Sequence, residues 1–169
     1  MMTIQPITVV VTDANVLINF CHIGRLMLLG DLAPYRFMIP AEVVHEIVDP
    51  AQKADMATAL ERGVIAEVVI DSLEALALFG RLRDIMGRGE AACLALAKTE
   101  GWWIASDEKR RFRRTAIDLI GKDRIIGTET LLRHAITIGR VSIDEADAYK
   151  AVLETKRFAM PFASFRDLA

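Results

Sequence analysis

Five short apolar runs, each ending at a polar or turn-forming residue and each separated from the next by helical sequence, constrain this chain more than any other feature. Segment 7–12 (Ile-Thr-Val-Val-Val-Thr) is β-branched and stops at Asp13, and segment 36–39 (Arg-Phe-Met-Ile) stops at Pro40. Segments 64–70, 102–106 and 124–127 complete the set. Runs this short and this apolar read as buried strands. Between them lie helix signals: 15–29 with a break near Gly24, about 40–48 opened by Pro40, and about 51–62 closed by Gly63. Asp71 and Glu74 have capping-box spacing ahead of 72–86, and Gly87-Arg88-Gly89 leads into 90–100. Helices over 108–120, 129–138 and 143–155 follow, the last introduced by a second capping pair, Ser142 and Glu145. Strand–helix alternation of this kind builds a parallel sheet whose right-handed crossovers cover both faces with helices. The expected fold is therefore a three-layer α/β/α sandwich with a central parallel five-stranded sheet. A single domain is expected over 1–169, with its core over about 7–156 and an irregular tail over 157–169.

Composition sets few further limits. With 169 residues, 53% of them hydrophobic, the chain can bury one sizeable core. No apolar run approaches the roughly 20 residues that cross a bilayer, so no membrane segment is expected. The N-terminus carries no basic stretch before its apolar residues and reads as the approach to the first strand rather than as a secretion signal. Cys21 and Cys93 belong to no CxxC pattern, which argues against zinc and for two buried thiols in a reducing compartment, the cytoplasm. The net charge of −2 does not mark a nucleic-acid binder. Four carboxylates set aside as cation ligands would leave a remainder of +2, so charge neither supports nor excludes a polyanionic substrate.

The positions of the acids say more. In open parallel sheets, ligands bind beyond the carboxyl ends of the strands. Asp13 directly follows the first strand and Asp107 the fourth. Glu90 falls in the first turn of its helix, and Glu46 lies on the helix after the second strand. Each has a plainer reading by itself: Asp13 and Asp107 as helix caps, Glu90 as a complement to a helix dipole, Glu46 as a solvated residue. Glu42 shares a helix face with Glu46, so spacing alone leaves the choice between them open. Taken together, carboxylates converging on one sheet edge repel one another unless a cation joins them. Oxygen-only ligands point to a hard ion, Mg²⁺ or Mn²⁺.

The arrangement resembles a known family. Val-Val-Val-Thr-Asp13-Ala-Asn15-Val-Leu-Ile is similar to the opening motif of PIN-domain nucleases. Pro40-Ala-Glu-Val-Val-His-Glu46 resembles the second motif and selects Glu46 over Glu42. Gly87-Arg-Gly-Glu90-Ala-Ala-Cys resembles the third, Ile104-Ala-Ser-Asp107-Glu-Lys the fourth, and Ile126-Gly-Thr128 a later Gly-Thr segment. The resemblance runs from about residue 8 to 138 and departs at Thr130, where many relatives carry glycine. It implies divalent metal at Asp13, Glu46, Glu90 and Asp107, and cleavage of single-stranded RNA. Because many relatives are toxins of the VapC-like kind, an antitoxin partner and a homodimer are also implied. Of the adjacent acids Asp107 and Glu108, the position directly after the strand favours Asp107.

Other residues fit supporting roles. Asn15 and Ser106 are candidates to hydrogen-bond a ligand carboxylate, and Asn15 serves equally well as a turn or cap. The run Lys109-Arg-Arg-Phe-Arg-Arg114 places Phe112, Ala116, Leu119 and Ile120 on a buried helix face and turns Arg110, Arg111 and Arg114 away from it. Cations in a first helical turn oppose the helix dipole, and a phosphate track through Arg88, Lys109, Arg110, Arg111 and Arg114 would account for them; a plain solvated face is the alternative. Trp102 and Trp103 suit strand packing better than base stacking. His22, His45 and His134 show no metal spacing. Phe158, Phe162 and Phe165 cover apolar surface or form a dimer contact. A phosphatase that uses Asp13 as nucleophile would want an acid where Asn15 stands. A metal-free RNA-binding or interaction module is the rival of a different class.

Overall fold

The computed structural model describes residues 5–169; residues 1–4 of the stretch read as the approach to the first strand lie outside the described residues. Five strands form one parallel sheet: β1 (Thr8–Thr12), β2 (Tyr35–Pro40), β3 (Ile65–Val68), β4 (Trp103–Ala105) and β5 (Ile125–Ile126). Their order is β3-β2-β1-β4-β5. The chain first builds outward from β1 to one side, then crosses back and adds β4 and β5 on the other. In register, Thr12 faces Ala105, so the residues after β1 and β4 leave the sheet side by side.

Among the described residues eight α-helices flank the sheet: α1 (Ala14–His22), α2 (Ala41–Glu46), α3 (Pro50–Glu61), α4 (Leu73–Leu82), α5 (Arg88–Glu100), α6 (Arg110–Ile120), α7 (Thr128–Thr137) and α8 (Ile143–Thr155). The fold is thus the expected α/β/α sandwich around an all-parallel five-stranded sheet. Helix α5 lies against β1, β2 and β4 and touches α2, α4 and α6, while α1 touches α3, α7 and α8. Every residue of α5 from 91 to 97 is buried. Alanines and Cys93 on that helix let its backbone approach the sheet, and Leu94 and Leu96 fill the space between. Gly101, at φ 73°, closes the helix in the left-handed conformation. Among the described residues no helix is long and apolar enough to cross a membrane.

Several boundaries differ from the expected ones, each for a local reason. The first helix stops at His22; Gly24 then turns with φ 66°, and a 3-10 helix (Leu26–Asp31) takes up the remainder. Helix α4 is capped by Ser72, whose hydroxyl accepts the Ala75 N–H at 3.1 Å, not by Asp71. Helix α6 begins at Arg110, two residues later than expected, because residues 106–108 are committed to hydrogen bonds at the sheet edge. Arg110 itself sits at φ 57°, a left-handed conformation that costs a non-glycine residue about 1–3 kcal/mol. The tail is more ordered than its composition suggested. Ser164 and Asp167 form a capping box for a 3-10 helix (Phe165–Leu168), and Asp147 on α8 accepts from Ser164 Oγ at 2.6 Å and from the Phe165 N–H at 2.8 Å. Phe162 packs edge-on against Phe165, so these rings cover the protein's own surface. Trp103 packs against Tyr35 across the sheet, a structural use. Cys93 is fully buried, whereas Cys21 is half-exposed.

Because α5 is enclosed on all sides, truncation there leaves a cavity that the surroundings cannot fill. Leu94→Ala is expected to lower stability by about 2–5 kcal/mol. Urea titration should show this as a lower midpoint with an unchanged slope.

Candidate active site at the sheet switch point

The point where the strand order reverses, between β1 and β4, is where an open parallel sheet leaves a crevice for ligands. Asp13 stands at its centre. Its backbone N–H donates to the Ala105 carbonyl at 2.9 Å, which extends the β1–β4 pairing by one residue. Its Oδ1 accepts the Ala14 N–H at 2.8 Å, so it caps α1; its Oδ2 accepts from Ser106 Oγ at 3.3 Å. The cap and the site are therefore the same residue. Only 3% of Asp13 is exposed. Burial, with the charges of Glu90, Glu46 and Glu108 added, pushes its carboxyl up to about 7, against the opposing pull of the Ala14 N–H.

The other acids arrive from separate elements. Glu90 opens α5; burial raises its pKa first, then the Glu108 and Glu46 charges, with the Gly87 backbone N–H working the other way. Glu46, at the end of α2, is exposed, and its Oε1 accepts the Gly89 N–H at 2.8 Å. A Cβ on Gly89 would lie 2.6 Å from that oxygen, so only glycine leaves room for the carboxylate. Glu46 is thereby tied to the turn that carries Glu90.

Asp107 and Glu108 divide the space after β4. Asp107 Oδ1 accepts the Thr128 N–H at 2.8 Å, and its Oδ2 accepts from Thr128 Oγ1 at 2.5 Å and Asn19 Nδ2 at 3.0 Å. Burial raises the Asp107 pKa and these donors pull it back. A Cβ on Gly127 would come within 2.6 Å of Asp107 Oδ1. Asp107 thus clamps the start of α7 and the middle of α1 to the end of β4. Glu108 is exposed and turned toward the other acids: Asn15 Nδ2 donates to its Oε1 at 3.0 Å, and its charge raises Asp13, Glu90 and Asp107. Asn15 Oδ1 accepts the Asp107 N–H at 3.3 Å, and Ser106 Oγ accepts the Glu108 N–H at 3.1 Å. Asn15 and Ser106 therefore hold both neighbours in place.

All four predicted acids, with Asn15 and Ser106, meet at this edge, and Glu108 joins them as a fifth. The choice of Asp107 over Glu108 rested on chain position, which cannot show that the Thr128 donors occupy one carboxylate and leave its neighbour toward the crevice. Asn19 carries no signal in the sequence, whereas Thr128 stands in the Gly-Thr segment that resembles the family, with no role assigned to it there. Among the described residues, no three His, Cys, Asp or Glu side chains stand in a ready-made metal-binding group. Two buried oxygens, Thr12 Oγ1 and Glu42 Oε2, have no hydrogen-bond partner among the described residues.

Of the cations, Arg88, Lys109, Arg110, Arg111 and Arg114 are all exposed, and so is Arg113. Arg111 reaches the Ile85 carbonyl at 3.4 Å, beside the turn into α5. Phe112, Ala116 and Ile120 are buried and Leu119 is half-buried, as the helical spacing required.

Residues 9–160 match the model of a family described as a PIN domain, and the chain belongs to that family. No curated protein matches the chain. Membership supports nuclease activity, a hydrolase chemistry, and PIN domains generally bind divalent metals.

Asp13 is held at about 7 against an ordinary 3.8, so the folded, metal-free state binds this proton more tightly than the unfolded state. That contribution is fully present below the unfolded value and is lost as pH rises through 7; Glu90 and Asp107 shift in the same direction. In EDTA, stability at pH 8 should fall below that at pH 5.5 by up to a few kcal/mol. Asp13→Asn, which keeps the cap, should flatten the profile and raise the urea midpoint at pH 8. Gly89→Ala should displace the Glu46 carboxylate while leaving the fold intact, read as a loss of divalent-ion affinity by calorimetry without loss of cooperative unfolding.

Proposed function

We propose that the protein is an Mg²⁺- or Mn²⁺-dependent endoribonuclease that hydrolyses phosphodiester bonds in RNA. The observation that carries this reading is the placement of Asp13, Glu46, Glu90, Asp107 and Glu108 from four segments at the switch point of a parallel sheet in a PIN domain. The donor set fits a hard divalent cation: it offers carboxylate oxygens only, and their desolvation and mutual repulsion hold Asp13 near neutrality unless positive charge compensates. When bound, such an ion neutralises phosphate charge and lowers the pKa of an attacking water.

The chain's own residues divide the remaining work. Asp13 is the central ligand, its second oxygen aligned by Ser106. Glu90 faces Asp13 from the start of α5, and Glu46 is the outer carboxylate, fixed through the Gly89 N–H. Glu108, steadied by Asn15, presents its carboxylate to the crevice, while Asp107 contributes mainly by tying β4 to α1 and α7. Arg88, Lys109, Arg110, Arg111 and Arg114 supply positive charge along the approach for the polynucleotide backbone. The reading extends to a toxin held in check by an antitoxin and acting as a homodimer, which the family resemblance supports, and to the cytoplasm, which the two cysteines outside any CxxC pattern support. A metal-free RNA-binding module is the second reading, favoured by the hydrogen bonds that already occupy Asp107.

Cleavage of an end-labelled RNA panel with Mg²⁺, Mn²⁺ or EDTA tests this. Wild type should cut only with metal, and Asp13→Asn should lose about 100-fold or more in rate. Glu108→Gln should lose activity and metal affinity with its apo stability kept, whereas Asp107→Asn should lower apo stability as well, by about 1–3 kcal/mol. Binding of RNA by wild type with no cleavage under any metal would favour the second reading.

A further inference from the structure

A cavity of about 560 Å³ opens beside the acids, between the β4–α6 connection, the start of α7 and the segment that follows α8. Its volume lies within the roughly 300–1,000 Å³ of pockets that hold a small organic ligand. Asp107, Glu108 and Glu129 bring carboxyl groups to its lining, Lys109 and Arg113 bring positive charge, and Phe158, Met160 and Pro161 form an apolar wall. That wall is built, not loose. The Phe158 N–H donates to the Leu153 carbonyl at 2.9 Å, Met160 is buried, and the residues beyond are anchored to Asp147. The Phe158 ring is half-buried, so one part packs on the core and the rest is left to the cavity. Lys109, just ahead of α6, and Arg113, in the first turn of α6, are exposed, and among the described residues neither forms an ion pair.

We propose that this cavity seats one nucleotide of the single-stranded substrate, next to the bond presented to Asp13 and Glu108, with its base on Phe158 and its phosphate between Lys109 and Arg113. The inference rests on the nuclease reading and adds a subsite to it. The polarity of the cavity sets the orientation. The carboxylates in its lining repel a phosphate, so the phosphate stays with the two cations and the neutral base takes the apolar wall. Stacking on an aromatic ring tolerates any base. Thr130, which also lines the cavity, offers a hydroxyl that can distinguish one base edge from another. Arg113 gains a role here that helical spacing did not assign to it.

The test uses the full chain in EDTA and fluorescence anisotropy with a labelled single-stranded oligoribonucleotide, alongside a set of the same oligonucleotide abasic at one position each. Phe158→Leu keeps an apolar side chain and removes the aromatic face, so it separates stacking from packing; Phe158→Trp restores the face. Phe158→Leu should weaken binding roughly tenfold. Phe158→Trp should recover it, and the loss should vanish on one member of the abasic set. Lys109→Gln with Arg113→Gln should weaken binding to every oligonucleotide and lower the salt slope by about 1–2. Wild-type affinity in folded Phe158→Leu, or an equal loss on every abasic oligonucleotide, would overturn the subsite. Mg²⁺-dependent cleavage of the same oligonucleotide by wild type reports the nuclease reading separately. Cleavage with Phe158-independent binding removes the subsite alone, and Phe158-dependent binding without cleavage leaves the subsite standing and removes the nuclease reading.

Discussion

The hydrogen bond from the Asp13 N–H to the Ala105 carbonyl carries the pairing of β1 and β4 past the last residue of β1, and the rest of the site depends on it. It brings two chain segments more than 90 residues apart in sequence into lateral contact at the one place where the strand order reverses. Asp13 and Asn15 follow within three residues of one strand end and Ser106, Asp107 and Glu108 within three of the other, and Glu46 and Glu90 join them from α2 and α5. The side chains cross-link reciprocally, Ser106 to Asp13, Asn15 to both Asp107 and Glu108. An electrostatically unfavourable cluster is thus held by neutral donors, which lower the repulsion without cancelling it.

The fold was largely legible because burial on both sheet faces forces continuous apolar strands, and the five runs of this kind fix an alternating pattern with few topologies. Helix ends were less legible. At Ser72 and Asp71, two adjacent capping residues competed, and only the geometry of the turn decides which oxygen meets the Ala75 N–H. The tail was read as irregular because Ser164 and Asp167 sit in a short aromatic-rich stretch without helical periodicity; its order comes from a distant partner, Asp147.

Within the site, Asp13, Glu46, Glu90 and the neighbourhood of Asp107 were readable from their positions at strand and helix ends. Which of two consecutive carboxylates faces the crevice was not, since that depends on Thr128 and Asn19, contributed by elements 21 and 88 residues away from Asp107. The role of Arg113 was hidden for a similar reason: a helical wheel separates inside from outside but does not know that the chain returns, after α8, to place Phe158 and Met160 opposite the exposed face of α6. Local pattern finds the residues that end regular elements, and long-range contact decides what each of them touches.

Every group assigned to chemistry or recognition lies at the carboxyl rim of the sheet, whereas β1 starts at the opposite rim. A five-residue strand spans about 17 Å, so whatever precedes Thr8 enters the molecule at that distance from Asp13. A surface tether, a fluorescent label or a fused cargo joined close to Thr8 would leave from the rim opposite the crevice, and Ala169, beside Thr137 at the far end of α7, also lies away from the acids. Immobilisation from the rim where β1 starts leaves the crevice open to a long polymer.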